Sequence, residues 1–101
     1  MDDFRNGKPL AEGVGETNGA ADIFEWNAEE TKRIFGQTIE SRFEDTRVHV
    51  YYQPVGVVAA LSPWNFPLIL AARKISTALA AGCSVIIKPD TITPGVVMEL
   101  V

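Results

Sequence analysis

The hydrophobic positions change rhythm along the chain. From about Asn18, the residues Ala20, Phe24, Ala28 and Phe35 recur at helical spacing, with Glu29 one turn before Arg33 and able to pair with it. Gly36 is the expected end of that helix. Residues 46–52 then alternate, Val48, Val50 and Tyr52 against Arg47, His49 and Tyr51, the period of a strand with one wet face. After Pro54 the run 55–61 is apolar at every position, which suits a strand inside a parallel sheet covered by helices. A second buried strand is expected at residues 84–88, where Val85, Ile86 and Ile87 lie between Ser84 and Lys88.

Between these two runs, residues 68–81 are rich in Ala and Leu and place Leu68, Ala72, Ile75 and Leu79 on one face, with Gly82 as the stop. Strand, helix and strand make a βαβ unit, because two parallel neighbours need a crossover between them. A further helix is expected from Thr93-Pro94, with Thr93 as its cap and Pro94 in its first turn. It is still running at Val101, which suggests truncation at the C-terminus. Asn6-Gly7-Lys8-Pro9 and Gly13-Val14-Gly15 are local turn signals. The fold class expected is α/β, with helix and strand preceding the βαβ unit.

Composition narrows the partners. The 101 residues are 47% hydrophobic and 22% charged, enough apolar material for one small core. Eleven of the thirteen acidic residues lie in residues 1–50, so the second half is mostly core. A net charge of -4 without a basic run argues against nucleic acid or an anionic membrane as the main partner. No stretch has the length and apolarity of a membrane span, and Met1-Asp2-Asp3 is unlike a signal peptide, so a cytoplasmic location is expected. The single cysteine, Cys83, cannot form an internal disulfide, and the single histidine, His49, has no second ligand at helical spacing, so no metal site is expected.

Chemistry concentrates where the first buried strand gives way to the helix, at Ser62-Pro63-Trp64-Asn65-Phe66-Pro67. Ligands of open α/β sheets bind at this carboxyl end. Two prolines restrict the backbone around Asn65, whose preorganised amide is a good donor to an oxyanion. Asn65 can equally cap the helix, with Trp64 and Phe66 as packing. Cys83 has no basic neighbour to activate it and reads as a small core residue; His49 reads as a strand residue facing water.

The stretch from Gln53 to Pro67, then Arg73-Lys74, then Ala80 to Pro89, closely resembles the aldehyde dehydrogenase superfamily. Residues 6–12 and 25–36 are similar to the region upstream of that motif in succinate-semialdehyde dehydrogenase-like members. The resemblance covers nearly the whole chain but only the first part of a family chain. It implies a helical N-terminal region at 1–45, an oligomerisation-type strand, and at 46–101 the start of a partial Rossmann-like NAD(P)-binding domain. It also implies a homo-oligomer as the full-length state.

By the same resemblance, Asn65 donates to the oxygen of the thiohemiacetal formed when a cysteine attacks a small-molecule aldehyde. Leu61, Ser62, Trp64 and Asn65 then line the nicotinamide side of the cofactor path, and Lys88 binds the adenosine ribose; otherwise Lys88 is a solvated charge at a strand end. Thr91 stands where NAD-preferring members often carry Glu, so NAD and NADP both stay open, because a neutral hydroxyl does not repel a 2′-phosphate as a carboxylate does. Asp90 beside it counts against the phosphate. Arg73 matches a position that reaches a substrate carboxylate, the alternative being a solvated helix residue. Lys74 matches a lysine close to the active site. The nucleophilic cysteine, the water-activating glutamate and a glycine-bearing phosphate segment are expected beyond residue 101, and there is no GxGxxG motif here. A non-catalytic packing or oligomerisation module with the same fold is the other reading, with residues 46–52 as a pairing edge.

Overall fold

A computed structural model describes residues 7–101. Helix α1 spans Leu10–Glu30 and continues into a short 3-10 turn, Thr31–Arg33. A hairpin follows, built from β1, Gln37–Glu40, and β2, Arg47–Val50. The βαβ unit comprises β3, Val57–Leu61, α2, Pro67–Ala80, and β4, Ser84–Lys88, after which a short helix α3 covers Gly95–Leu100.

Helix α1 begins eight residues earlier than its hydrophobic spacing indicates. Gly13, Val14 and Gly15 lie inside it and form no turn. Its covered face runs Gly13, Glu16, Ala20, Ile23, Asn27, Glu30, alternating steps of three and four residues. Glu16, Gly19 and Asn27 are poor markers of an apolar stripe, which is why the start is hard to read. Ala28 and Phe35, expected on that face, are exposed, Phe35 at 70%. Glu29 pairs with Lys32, and Arg33 with Glu30. These i,i+3 contacts follow from the 3-10 turn, which brings residues three apart into line.

Gly36 does not end the helix. It opens the hairpin, where its Cα faces the carbonyl oxygen of Val50 so closely that a Cβ there would sit 2.2 Å from that oxygen. The strand β1 is unannounced by the hydrophobic pattern because all four of its residues are exposed. It pairs antiparallel with β2, Gln37 opposite Val50 and Glu40 opposite Arg47. The alternating segment is therefore shorter than expected and has β1 as a partner. The hairpin stands away from the rest, giving extents of 66 × 23 × 19 Å and a radius of gyration of 18.4 Å. A compact chain of this length has a radius of roughly 13 Å.

The core lies between α1, α2, α3 and one face of the β3–β4 pair. Leu68 and Ala72 pack on Ala20 and Phe24, while Ala71 and Ile75 meet Val97, Val85 and Ile87. Small residues bring the helices together: a Cβ on Gly19 would lie 3.2 Å from Ile69 Cδ1. Asn27 Nδ2 donates to Ser76 Oγ at 2.9 Å across the same contact. Leu79, expected on the buried face of α2, is 54% exposed.

The strands β3 and β4 are parallel and in the expected places, Val57 opposite Ser84 and Leu61 opposite Lys88. Only one face is covered; Val57, Leu61 and Ile86 on the other are exposed. Helix α2 ends where Gly82 takes φ +81°, with Gly82 N–H donating to Leu79 O and Cys83 N–H to Ala78 O. This is a Schellman motif, which a residue with a Cβ adopts only under strain. At α3 the boundary residue is Pro94, and Thr93 does not cap. Its hydroxyl is fully buried without a partner among the described residues.

Candidate functional site

Parallel pairing puts the carboxyl ends of β3 and β4 at one edge. Leu61 and Lys88 are register partners there, and Ser62 N–H donates to Lys88 O at 3.2 Å, extending the ladder by one residue. The chain then leaves the sheet through Pro63, Trp64, Asn65 and Phe66 and enters α2 at Pro67. Proline suits that first helical position, since its missing N–H has no intrahelical partner in any case.

Leu61, Trp64, Asn65 and Phe66 are exposed along this exit. Ser62 is buried, and its hydroxyl has no partner among the described residues. Lys88 is exposed and its ammonium has one long contact, 3.4 Å to Pro89 O. Thr91 is exposed in the bend after β4, while one oxygen of Asp90 accepts the Ile92 N–H at 2.9 Å. The edge thus gathers Leu61, Ser62, Trp64, Asn65, Lys88 and Thr91 on two neighbouring strand ends. Arg73 and Lys74 are on the exposed side of α2. The ammonium of Lys74 reaches back to the carbonyl of Leu61. Arg73 has no acidic partner among the described residues.

Asn65 does not cap α2, and no local side chain does. The cap comes from α1. Glu16 Oε1 accepts the N–H of Leu68 at 2.8 Å and that of Ile69 at 3.1 Å, two of the orphan donors of the helix start. Its other oxygen pairs with Lys8 Nζ at 2.6 Å, and both side chains are about nine-tenths buried. Lys8 also donates to Asn65 O at 3.1 Å and lies 4.1 Å from the centre of the Phe66 ring. A carboxylate at a helix N-terminus is favoured by the macrodipole as well as by the hydrogen bonds. Neither residue is singled out by the motif reading. The available signal is an acid on an otherwise covered helical face, which needs a partner when buried.

Cys83 is buried beneath the turn that ends α2, away from the exit. His49 lies on the hairpin, with Nδ1 3.2 Å from Thr38 Oγ1. Among the described residues no helix is long and apolar enough to cross a membrane.

A βαβ unit with an exposed amide and cation at the carboxyl edge of its strands is an α/β arrangement, the class of fold whose ligands bind at that edge. The profile of the aldehyde dehydrogenase family matches residues 2–101, and the chain belongs to that family. It is 52% identical over 95 residues to the glutarate-semialdehyde dehydrogenase of Pseudomonas putida, covering 94% of this chain and 20% of that one. It is 53% identical over 91 residues to the NADP(+) succinate-semialdehyde dehydrogenase of Escherichia coli, covering 90% of this chain and 19% of that one. Among solved structures, a double mutant of betaine aldehyde dehydrogenase from Staphylococcus aureus in complex with NAD+ superposes with a TM-score of 0.94. There the identity is 35%, over 98% of this chain and 20% of that one. The chain spans about a fifth of the length of the curated relatives it matches.

Proposed function

We propose that these residues are the opening part of an NAD(P)-dependent aldehyde dehydrogenase that oxidises an aldehyde to a carboxylic acid. The observation that carries this is the gathering of Ser62, Asn65 and Lys88 at the carboxyl edge of a parallel strand pair, in a chain of this family. In this reading residues 46–101 begin the dinucleotide-binding domain, and the longer polypeptide supplies the nucleophilic cysteine. The names of the two relatives above, with a semialdehyde as substrate, support a carboxylate-bearing aldehyde for this enzyme too.

The residues present fit a dinucleotide. Lys88 has no acidic partner among the described residues and is free to donate to ribose hydroxyls or a 2′-phosphate. The buried Ser62 hydroxyl has no partner among the described residues, and Leu61 and Trp64 offer exposed apolar surface on either side of it in the chain. A bound nicotinamide would supply the hydride acceptor for the substrate carbon. The chain's own contribution is the amide of Asn65, which donates to the oxyanion that forms as a thiolate adds to the aldehyde. Its value lies in preorganisation, since a donor already in place needs no reorientation as charge develops. Arg73 supplies paired donors for a second carboxylate on the substrate. Thr91 leaves the ribose 2′ position open to NAD and NADP alike.

The test is aldehyde oxidation by the full-length polypeptide with Asn65→Ala. A kcat lower by roughly 10²–10³-fold is expected for loss of one oxyanion donor. An unchanged kcat removes Asn65 from the chemistry. A full-length chain without aldehyde oxidation but with hairpin-dependent association would instead favour a packing or oligomerisation module, for which the exposed β1–β2 hairpin is the observation.

A further inference from the structure

We propose that Glu16 and Lys8 are positioning residues for the oxyanion donor, holding the segment from Asn65 to Ile69 rigid from the far side of α2. The inference rests on the reading of Asn65 given above. Three bonds converge on the segment. Glu16 Oε1 takes the Leu68 and Ile69 N–H groups, and Lys8 takes the Asn65 carbonyl. The Lys8–Glu16 ion pair joins the two sets, so the carbonyl of Asn65 and the first turn of α2 are fastened to one buried charge pair. The Phe66 ring against the Lys8 ammonium closes the fourth side.

The chemistry of this arrangement exceeds what a helix cap requires. A Ser, Thr, Asp or Asn just before Pro67 would satisfy the same N–H groups locally. Here the acceptor comes from 52 residues away and is carried by a helix packed along α2 through Gly19, Ala20 and Asn27. A local cap would move with the exit segment, whereas α1 is an independent rigid element. Burying the pair costs desolvation of both ions, which their mutual bonds offset: two N–H groups and an ammonium on the carboxylate, a carboxylate and a carbonyl on the ammonium. Catalytic amides need this support, because a displacement on the order of 1 Å lowers the rate by about 100-fold.

The experiment compares Glu16→Ala, Asn65→Ala, the double variant and Asn27→Ala in the full-length enzyme, reading kcat, aldehyde KM, cofactor Kd and Tm. Asn27→Ala removes the bond to Ser76 on the same helix contact without touching residues 65–69, so it controls for general loosening of α1. The expected result for Glu16→Ala is a kcat lower by about 10- to 100-fold, with aldehyde KM and cofactor Kd little changed. Asn27→Ala should lower Tm and leave kcat within about twofold. In the Asn65→Ala background, Glu16→Ala should have almost no further effect on kcat, because the two act through one amide.

The proposal is overturned by a Glu16→Ala enzyme that keeps its kcat, or by a loss of equal size with and without Asn65. If Asn65→Ala itself leaves kcat unchanged, the oxyanion reading fails first and the positioning role falls with it, which separates the two failures. Should Glu16→Ala not fold, Lys8→Met carries the same comparison. It keeps an apolar stem over Phe66 while removing the ammonium from both Glu16 and the Asn65 carbonyl, and the same two outcomes decide.

Discussion

Glu16 Oε1 lies 2.8 Å from the backbone nitrogen of Leu68, joining the second turn of α1 to the first turn of α2. The contact explains how a helix that starts with proline and has no local cap begins cleanly beside Asn65. It also sets which substitutions should disturb the site and which should disturb only stability.

The Asn27–Ser76 bond is the polar contact further along the same pair of helices. Asn27→Ala should cost about 0.5–1.5 kcal/mol, the usual worth of such a bond, because Ser76 keeps its second partner, Ala72 O. Urea unfolding followed by circular dichroism reads this directly. A loss above about 3 kcal/mol would show that Asn27 holds more than this bond.

Gly82 should not tolerate a side chain. With φ at +81° and a Cβ that would approach Pro54 Cγ to 2.9 Å, Gly82→Ala meets both backbone strain and a steric contact. The expected loss is about 1–3 kcal/mol, seen as a lower urea midpoint at constant slope. An equally stable variant would mean that the segment around Pro54 gives way freely.

Lys88 is exposed and only weakly engaged, so Lys88→Ala should leave Tm within a degree or two while weakening the cofactor. Calorimetric titration of NAD and NADP separately is the measurement. If NADP loses more affinity than NAD, the ammonium meets the 2′-phosphate; equal losses point to the ribose or pyrophosphate they share. Undiminished binding of both takes Lys88 out of the site.

Arg73, also exposed, distinguishes substrates. In the full-length enzyme Arg73→Ala should raise KM for a carboxylate-bearing aldehyde by about tenfold or more and leave a neutral aldehyde of similar length nearly unaffected, since a charged hydrogen bond is worth about 1.5–3 kcal/mol. Equal effects on both substrates would assign Arg73 to the helix surface.

The 101-residue chain by itself exposes Val57, Leu61 and Ile86 on the open face of β3–β4. Such a face on parallel strands is normally covered, so the isolated chain should self-associate and bind a hydrophobic dye. A monomer at low concentration with a sharp cooperative transition would contradict this.

The sequence by itself determined the βαβ unit. Unbroken apolar runs, a helical period between them and Gly82 at its end are local signals, and each is a statement about residues within a few positions of one another. The exit from Ser62 to Pro67 was legible for the same reason, because prolines act on their immediate neighbours. Beginning α1 at Leu10 and making Glu16 the cap of α2 was decided only by the tertiary structure. A stripe of Gly, Glu, Ala and Asn has little hydrophobic signal of its own, and becomes a packed face only when a second helix supplies N–H groups, a serine hydroxyl and apolar side chains to meet it. The hairpin strand Gln37–Glu40 is the other case: with no buried face, its place comes from hydrogen bonds to a partner strand, which no pattern within four residues records.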